Sequence, residues 1–513
     1  MDKTAAIVGS GFGGLAAAIR LQASGVDTTI YEKRERPGGR AYVYEDQGYR
    51  FDAGPTVITA PEALYELFDL AGRKLSDYVE LVPVDPFYRL HFHDGGHFDY
   101  GNDEPSMLQQ IDFRNPRDVK GYQEFLKYSK AVYDEGYSRL VHVPFQSFWD
   151  MIRVSPQLLR LKAYRSVYST VSCFITDENL RQAFSFHSLL IGGNPFSASS
   201  IYTLIHYLER NGGVWFPRGG TGALVQALVK LFTDLGGRIH LSTPVKRIVT
   251  DNNKVLGVAT ERLGFERYSW VVSNGEGLHT YRDLLKDCDV AKKRAAKLDR
   301  KRYSMSLFLI YFGVNRTFPL PHHNVIFGPR YRELLGDIFE RGVLADDFSL
   351  YLHNPSATDS SLAPPGCSSF YVLSPVPHLG KFAGDWSKIG PEYADRILKF
   401  LEKRLMPDLT RSIVSKRIFT PMDFQTELNA HMGSAFSLEP TLLQSAYFRM
   451  PNVDPKIQGL YFVGAGTHPG AGVPGVINSA KATCSLMLPS AEGTDYLLRN
   501  VLERKSVPFG EGV

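Results

Sequence analysis

The sequence predicts an α/β fold built on a parallel sheet, and three stretches of the chain support this prediction. Residues 4–8 form an apolar run that leads into the glycine-rich turn 9–14 and then into a helical pattern. Residues 28–31, Thr-Thr-Ile-Tyr, form a second predicted strand that is followed by the acid Glu32. Near the C-terminus, residues 460–463 are followed by another glycine loop and helical pattern. Strand, glycine turn, helix, strand and acid in this order are typical of a Rossmann-like, dinucleotide-binding βαβ unit.

The residues of this first unit have separate predicted roles. Gly9 permits the tight turn, Gly11 lets the backbone approach a pyrophosphate, and Gly14 lets helix and strand pack closely. The helix N-terminus presents free N–H groups to the phosphates. Glu32 is placed to accept hydrogen bonds from ribose hydroxyls, and its neighbour Lys33 belongs to the same predicted binding set. An ordinary strand–turn–helix with spare glycines would not explain an acid at this distance.

A second glycine pair distinguishes between possible dinucleotides. Arg36-x-Gly38-Gly39-Arg40 is followed by Asp52-x-Gly54, with Pro55 and Thr56 directly behind. This arrangement resembles the extended fingerprint of FAD enzymes related to amine oxidases. A second glycine pair allows another close backbone approach, and Arg40 could supply a cation near phosphate or flavin. The sequence therefore favours FAD over NAD, although Gly38-Gly39 alone would also suit a surface turn.

Composition excludes several classes of protein. The 513 residues are 43% apolar and 22% charged, which describes an ordinary globular protein of about three domains. Lys plus Arg is 58 and Asp plus Glu is 54, a formal charge of +4 that does not suit a nucleic-acid-binding protein. The four cysteines are isolated in sequence, so we expect neither a disulfide framework nor a metal site.

The ends and the hydropathy of the chain bear on its location. The first strand begins almost at the N-terminus, without the pattern of a secretory signal. No apolar stretch reaches the length of about 18 residues that a spanning helix needs. We therefore expect a cytoplasmic protein, for which peripheral contact with a membrane stays open.

The rest of the chain predicts further strands and a helical region. Alternating residues between 80 and 100 predict antiparallel strands, and 304–315 and 368–376 predict strands of a second sheet. Residues 117–210 have a helical, aromatic-rich pattern. We expect strands at 255–260 and 270–274 to return to the first sheet. The C-terminal glycine loop precedes a helix predicted over 478–488 and lacks a following acid. We therefore expect it to close over the first site rather than form a second one.

Five segments together resemble the bacterial-type phytoene desaturases. They cover nearly the whole length, with variable stretches at 280–300 and after about 490. The segments begin at Gly38, Phe51, Phe184, Gly213 and Gly464, and read GGRAYVY, FDAGPTVIT, FSFHSLL, GVWFPRGG and GAGTHPG. The resemblance implies an enzyme with FAD as its only redox cofactor. It would introduce successive double bonds into phytoene to give lycopene, neurosporene if it stops earlier, or a further-dehydrogenated product if it stops later.

The resemblance also implies a set of cofactor-binding residues and a domain arrangement. The residue matching Val245 often meets the adenine end of FAD in such folds. The predicted cofactor set is Gly9, Gly11, Gly14, Glu32, Lys33, Gly39, Arg40, Gly54, Pro55, Thr56, Val245, Gly464, Gly466, Gly475 and Val476. We expect a discontinuous FAD-binding domain over 1–80, 214–280 and 450–490. A substrate domain with a mixed sheet is expected over 81–116 and 281–449, and a helical, membrane-facing cap over 117–213.

If the substrate is a carotenoid, we expect the protein to bind a long hydrocarbon and to contact a membrane surface. A C40 hydrocarbon must be recognised by burial in an apolar tunnel. For any single aromatic ring in this segment an ordinary core is the more usual interpretation. The candidate wall residues are Phe145, Phe148, Trp149, Tyr164, Tyr168, Phe174, Phe184, Phe186, Tyr202 and Tyr207. Arg153, Arg160, Lys162 and Arg165, interleaved with leucines, would suit a lipid headgroup surface or a solvated helix face. Oxygen or a membrane quinone would accept the electrons.

Asp150 and Arg153 are the predicted catalytic pair. They stand three residues apart, so on a helix they share a face. The motif Ser147-x-x-Asp150 also fits a helix-capping box, which is the competing interpretation. His187 and His468 are further candidates.

Two other classes of function compete with the desaturase. A polyene isomerase, or an oxidase of amines or porphyrinogens, would use the same scaffold. A non-catalytic isoprenoid-binding protein, like the prenyl-binding chaperones of small GTPases, would not need the complete FAD fingerprint that this sequence carries.

Overall fold

A computed structural model describes residues 3–488, and residues 1, 2 and 489–513 lie outside this description. The variable tail expected after residue 490 and the ends of the predicted FAD-binding segments therefore lie outside the described residues. The strands are, in chain order, β1 (Thr4–Val8), β2 (Asp27–Tyr31), β3 (Val43–Asp46), β4 (Tyr49–Asp52), β5 (Ile58–Thr59), β6 (Leu81–Pro83), β7 (Tyr88–His91), β8 (His97–Tyr100), β9 (Val214–Pro217), β10 (Arg238–His240), β11 (Val245–Asp251), β12 (Lys254–Thr260), β13 (Gly264–Arg267), β14 (Trp270–Ser273), β15 (Ser306–Val314), β16 (His323–Ile326), β17 (Leu350–His353), β18 (Ser368–Val376), β19 (Ile413–Phe419) and β20 (Leu460–Phe462).

Short 3₁₀ and π-helical turns lie between some of the helices and strands. In chain order they are α1 (Phe12–Ala23), α2 (Glu62–Leu70), α3 (Glu104–Arg114), α4 (Asp118–Tyr133), α5 (Phe148–Arg160), α6 (Val167–Val171), α7 (Glu178–Ser185), α8 (Leu204–Gly212), α9 (Thr221–Asp234), α10 (Gly277–His279), α11 (Asp289–Asp299), α12 (Tyr331–Gly336), α13 (Trp386–Arg404), α14 (Leu409–Ser412), α15 (Pro421–Leu428) and α16 (Val473–Met487).

The first sheet is parallel throughout and collects strands from three separate parts of the chain. Its order is β10-β2-β1-β14-β20. Residues of α1, α9 and α16 form one apolar core with this sheet, whereas Ile248, Leu278 and Phe462 belong to a core on its other side. Because the carboxyl ends of parallel strands meet at one edge, the glycine turns after β1 and β20 come together there. A Cβ on Gly13 would lie 3.2 Å from the backbone of Gly464.

The second sheet is large and mixed, as predicted. Its order is β19-β15-β18-β17-β16-β7-β8, in which only the pair β16 and β7 is parallel. The central strands β15 and β18 pair over nine residues each, which confirms the strands predicted at 304–315 and 368–376. One face of this sheet packs on α13, and the other faces the helical region and the cavity described below.

Helices dominate residues 117–213, as the sequence predicts. Their aromatic side chains form part of the largest apolar cluster, in which Tyr122, Phe125 and Phe184 are buried against one another. None of the helices within residues 3–488 combines the length and the hydropathy that crossing a bilayer requires.

Two predicted elements differ from the structure. Strand β12 does not return to the parallel sheet but pairs antiparallel with β11 and β13. The reason is the two-residue turn Asn252-Asn253, in which both residues have positive φ and reverse the chain as a tight hairpin. The last helix begins at Val473 rather than at residue 478, because Pro474 is accommodated in its first turn and Gly472 precedes it with a φ of +96°.

Candidate functional site

A single continuous cavity of about 620 Å³ joins the glycine turns of the parallel sheet to the mixed sheet and the helical region. We call its two parts the glycine arm and the apolar arm. The glycine arm is lined by residues that follow β1, β2, β14 and β20. The apolar arm is lined by side chains of α5, α8 and the mixed sheet, among them Met151, Val154, Leu158, Ile205, Leu208, Leu307, Leu309, Val325 and Leu373.

Close packing of glycines forms the floor of the glycine arm. A Cβ on Gly14 would lie 2.1 Å from the carbonyl oxygen of Gly9, so only glycine fits between turn and helix. A Cβ on Gly11 would lie 2.8 Å from the Asn274 side chain. In the described structure, Gly11 precedes α1 without a side-chain hydrogen bond to the first turn, which leaves backbone N–H groups for an anion.

Glu32 lies at the end of β2, as predicted, and its carboxylate is held by the glycine turn. Its Oε2 accepts hydrogen bonds from the Ser10 backbone N–H at 2.9 Å and from the Ser10 Oγ at 2.6 Å. Its Oε1 accepts from the Arg34 N–H at 3.0 Å. Each carboxylate oxygen has two acceptor sites, so a ribose hydroxyl can still be bound. The adjacent Lys33 also lines the cavity, and burial lowers the pKa of its ammonium group.

Arg40 is a partly buried cation, and one of its donor groups is buried without a partner among the described residues. Its Nε donates to the Ala435 carbonyl at 2.9 Å, while its Nη2 is buried and has no hydrogen-bond partner among the described residues. Burial lowers the pKa of Arg40, and the nearby carboxylate of Glu276 opposes that shift. Burial also raises the pKa of Glu276, which accepts a hydrogen bond from the Ser437 Oγ at 2.9 Å. Such an arginine suits a phosphate or another acceptor of the cofactor.

Most of the predicted cofactor set comes together at this cavity. It is lined by Gly9, Gly11, Glu32, Lys33, Gly39, Arg40, Gly54, Pro55, Thr56, Val245, Gly464, Gly475 and Val476. Among the described residues, the lining excludes Gly14 and Gly466, which pack behind it. A Cβ on Gly466 would lie 3.0 Å from the Ser437 Oγ, so this glycine keeps the loop close to Glu276 and its partner.

Three charged residues that line the cavity were not predicted from the sequence, because they lie far along the chain from the glycine motifs. Glu276 and Arg449 line the glycine arm, and Glu209 lines the cavity from α8. The guanidinium of Arg449 donates to the Ala465 carbonyl at 2.6 Å and thereby supports the C-terminal glycine loop. A partial signal existed for Glu209, because it continues the helical face of the apolar residues Ile205 and Leu208.

The predicted aromatic wall separates into three groups. Phe145, Phe186 and Tyr202 line the cavity. Phe184, Phe174, Tyr168 and Tyr207 pack against other rings in the helical region. Phe148, Trp149 and Tyr164 are exposed, so the structure does not place them in the wall.

Asp150 and Arg153 lie on the first turns of α5, and the described cavity lining does not include them. The Asp150 carboxylate accepts hydrogen bonds from the backbone N–H groups of Ser147 at 2.9 Å and Gln146 at 3.1 Å. The Ser147 Oγ accepts from the Asp150 N–H at 3.3 Å, which completes the capping box. Arg153 is 3.9 Å from Asp150. The capping interpretation is confirmed, and the catalytic role stays a prediction.

A buried polar network extends from the predicted cofactor residue Thr56 into the mixed sheet. The Thr56 Oγ1 lies 2.7 Å from the Tyr371 Oη and 3.0 Å from the Tyr351 Oη. The Tyr351 Oη lies 2.7 Å from the His323 Nδ1. His322 and His353 adjoin His323, and ligand nitrogens of the three imidazoles lie within 4.8 Å of one another. The expectation that the protein has no metal site therefore stays a prediction.

The residues at the glycine arm fit FAD. The glycines leave room for backbone approach, the N-terminus of α1 lacks a side-chain cap and can accept an anion, and Arg40 has a buried donor without a partner among the described residues. The model of the flavin containing amine oxidoreductase family matches residues 12–488. The cofactor of this protein is therefore FAD.

Similar proteins belong to the same family. A lycopene-forming phytoene desaturase of Pseudescherichia vulneris is 60% identical over 95% of this chain and 99% of its own length. A neurosporene-forming phytoene desaturase of Rhodobacter capsulatus is 43% identical over 95% of this chain and 94% of its own length. An oxidoreductase structure from Methanosarcina mazei shares the fold, with a TM-score of 0.62, 17% identity, and coverage of 94% of this chain and 99% of that one. This chain belongs to the phytoene desaturase family of flavin-containing amine oxidoreductases and is an FAD-dependent oxidoreductase.

Proposed function

We propose that this enzyme introduces successive double bonds into phytoene and forms lycopene in carotenoid biosynthesis. The observation that carries the proposal is the continuous cavity, in which an FAD site opens directly into an arm lined by aliphatic and aromatic side chains. Similarity to a lycopene-forming relative supports the end product, because the neurosporene-forming relative is less similar. Hydrophobic burial at about 25 cal/mol per Å² would bind a polyene without any hydrogen bond.

One set of residues would bind the cofactor, and another would bind the substrate. Glu32, Arg40 and the glycine turns would hold FAD, which when bound supplies the acceptor for a hydride from an allylic carbon. The apolar arm would orient the chain of the substrate and exclude water. The domain division into 1–80, 214–280 and 450–490 for FAD, 81–116 and 281–449 for substrate, and 117–213 for the cap is part of this proposal.

We further propose that the helical cap faces a membrane surface and that the protein is cytoplasmic and peripherally bound. Helix α5 has two apolar faces. Met151, Val154 and Leu158 line the cavity, whereas Trp149 and Leu159 are 69% and 65% exposed. Exposed apolar side chains with basic neighbours are typical of helices that lie in the headgroup region of a bilayer. A helix with one face in the membrane and the other in the cavity would place the entrance where the substrate dissolves.

Liposome co-sedimentation tests the membrane proposal. Replacing Arg160, Lys162 and Arg165 with Glu should abolish binding to vesicles containing anionic lipid. Trp149→Glu should weaken binding by at least about tenfold, since it removes a large apolar contact and adds a charge. Phe265→Glu is the matched control, because Phe265 is also exposed but lies on β13 of another sheet. Equal binding by the wild type and all variants would refute the membrane surface.

The proposed activity is tested with the FAD-loaded protein and phytoene-containing liposomes under air. A structured visible absorption band should appear in the lipid extract, and its position counts the conjugated double bonds. A band at the position of neurosporene would show that the end product is neurosporene instead of lycopene. Flavin without any new band would favour another polyene desaturase or an isomerase, and a protein that binds no flavin would favour a non-catalytic isoprenoid-binding protein. Repeating the reaction anaerobically with and without a quinone distinguishes the two proposed electron acceptors.

A further inference from the structure

Three histidines form a buried cluster where β16 and β17 pair in the mixed sheet. His323 begins β16 and His353 ends β17, and the two residues lie directly opposite each other in the antiparallel register. His322 precedes β16, and its ring centroid lies 4.4 Å from that of His323 and 4.8 Å from that of His353. All three residues are at most 3% exposed. Their ring nitrogens therefore need partners inside the protein.

The Nδ1 atoms of two of these histidines have such partners at the edge of the cluster. The His322 Nδ1 lies 2.6 Å from the Thr358 Oγ1, and the His323 Nδ1 lies 2.7 Å from the Tyr351 Oη. With Nδ1 as the donor in both contacts, each neutral imidazole carries its free lone pair on Nε2. Outer hydrogen bonds of this kind orient the histidines that bind metal ions in proteins.

The nitrogens at the centre of the cluster are not all satisfied by the protein. The His322 Nε2 lies 3.0 Å from the His353 Nε2, so a single hydrogen bond can join this pair. Within the described structure, the His323 Nε2 and the His353 Nδ1 are buried without a hydrogen-bond partner. Burial lowers the pKa of all three imidazoles, so they are neutral at pH 7 and their lone pairs are free. Because an unpaired buried polar atom is costly, the cluster calls for a ligand.

We propose that this cluster binds one zinc ion through the Nε2 atoms of His322, His323 and His353. Ligand nitrogens of the three residues lie within 4.8 Å of one another. Tetrahedral zinc at about 2.0–2.1 Å from each nitrogen needs them about 3.3 Å apart, so these distances would shorten by about 1.5 Å at most. Neutral imidazoles suit zinc, whereas calcium and magnesium take oxygen ligands. In the described part of the chain, no cysteine or carboxylate joins the group, which leaves the fourth position to water or hydroxide.

The ion would lie behind the wall of the cavity and fix the direction of hydrogen bonds towards the cofactor site. Coordination at the His323 Nε2 keeps the proton on Nδ1, which donates to Tyr351. The Tyr351 hydroxyl can then donate to the Thr56 Oγ1 at 3.0 Å, and both of these residues line the cavity. Zinc has no redox chemistry, so FAD stays the only redox cofactor. The proposal does not depend on the substrate, and it competes with the prediction, made from the isolated cysteines, that the protein has no metal site.

Zinc content tests the proposal directly. The full-length, FAD-loaded protein without a histidine tag is expressed with added zinc sulfate, passed over a chelating resin to remove surface ions, and analysed by plasma mass spectrometry. We expect about one zinc ion per chain in the wild type and less than about 0.2 in His323→Gln and His353→Gln. His206→Gln is the matched control and should keep the ion. His206 is also buried, at 1% exposure, but it lies on α8 with its Nδ1 3.0 Å from the Tyr100 Oη.

The identity of the ligand atoms decides the question even where a variant fails to fold. X-ray absorption at the zinc edge of the wild type should show nitrogen neighbours at about 2.0–2.1 Å, the outer scattering of imidazole rings, and no sulfur at about 2.3 Å. A sulfur neighbour would place the ion on a cysteine and overturn the inference. Less than about 0.2 zinc ions per wild-type chain, or equal zinc in all four proteins, would also overturn it. A zinc-loaded wild type that never converts phytoene would refute the proposed function alone, and an active, zinc-free enzyme would refute this inference alone.

Discussion

The imidazole of His468 packs edge-on against the ring of Phe145, with 5.1 Å between ring centroids and 81° between ring planes. Phe145 precedes α5 in the helical region, whereas His468 belongs to the C-terminal glycine loop, and both line the cavity. The contact therefore joins the proposed cap to the loop that we expect to close over the flavin.

The burial of His468 predicts that the stability of the fold depends on pH. Burial lowers the pKa of His468 from 6.5 to about 4, so between these values the unfolded chain binds a proton more readily than the folded one. Stability is therefore lost as the pH falls from about 6.5 towards 4, by up to about 3 kcal/mol. His468→Gln should make this part of the profile less steep, measured as urea midpoints between pH 4 and 7, while other buried histidines such as His322 and His378 keep their share of the slope. The exposed His97→Gln should leave it unchanged, and equal slopes in both variants would contradict the prediction.

Removing Glu32 should weaken FAD binding. Its carboxylate accepts two hydrogen bonds from Ser10 in the glycine turn and is placed for the ribose. Hydrogen bonds to charged groups contribute about 1.5–3 kcal/mol, which corresponds to about a 10- to 100-fold higher Kd for Glu32→Ala. Flavin fluorescence titration of the apoprotein measures this. Glu45→Ala, which removes an exposed carboxylate paired with Arg36, is the control. A Kd within threefold of wild type for Glu32→Ala would remove Glu32 from the cofactor site.

Gly14→Ala should destabilise the fold and empty the cofactor site. The new Cβ would lie 2.1 Å from the Gly9 carbonyl oxygen, so the turn and α1 would have to separate. Overpacking of this kind costs about 1–3 kcal/mol and sometimes more. Flavin content after purification and the thermal midpoint measure the effect. Gly212→Ala, whose Cβ would meet only atoms at 3.9 Å, should behave like wild type. A flavin-replete Gly14→Ala protein would show that the turn relaxes easily.

Asp150 can be tested separately as a cap and as a catalytic group. Ser147→Ala and Asp150→Asn both damage the capping box, so each should lower the unfolding free energy by about 1 kcal/mol. The predicted catalytic role requires in addition that Asp150→Asn slows anaerobic flavin reduction by phytoene while Ser147→Ala does not. Stopped-flow absorbance of the flavin measures this difference. Equal reduction rates in the two variants would remove Asp150 from the mechanism.

Local features of this protein could be read from short stretches of sequence. The turn after β1 and the Ser147–Asp150 capping box depend on groups only a few residues apart. Spacing along the chain therefore predicts them directly. The apolar pattern of β12 did not predict its partner strand. The turn Asn252-Asn253 determines that β12 pairs with β11, because it reverses the chain directly between the two strands.

The sequence by itself determined the FAD fingerprint and the two classes of sheet, because these rest on backbone conformation and on the periodicity of apolar residues. The family followed from the resemblance of five sequence segments to phytoene desaturases. Only the tertiary structure decided the surroundings of the buried charged side chains. Glu276 meets Arg40, and Glu209 meets Tyr88 and His187, across long separations in the chain. No local pattern marks these residues, since an acid on a helix or after a strand is usually solvated. Burial between distant elements gives each its environment, and with it its chemistry.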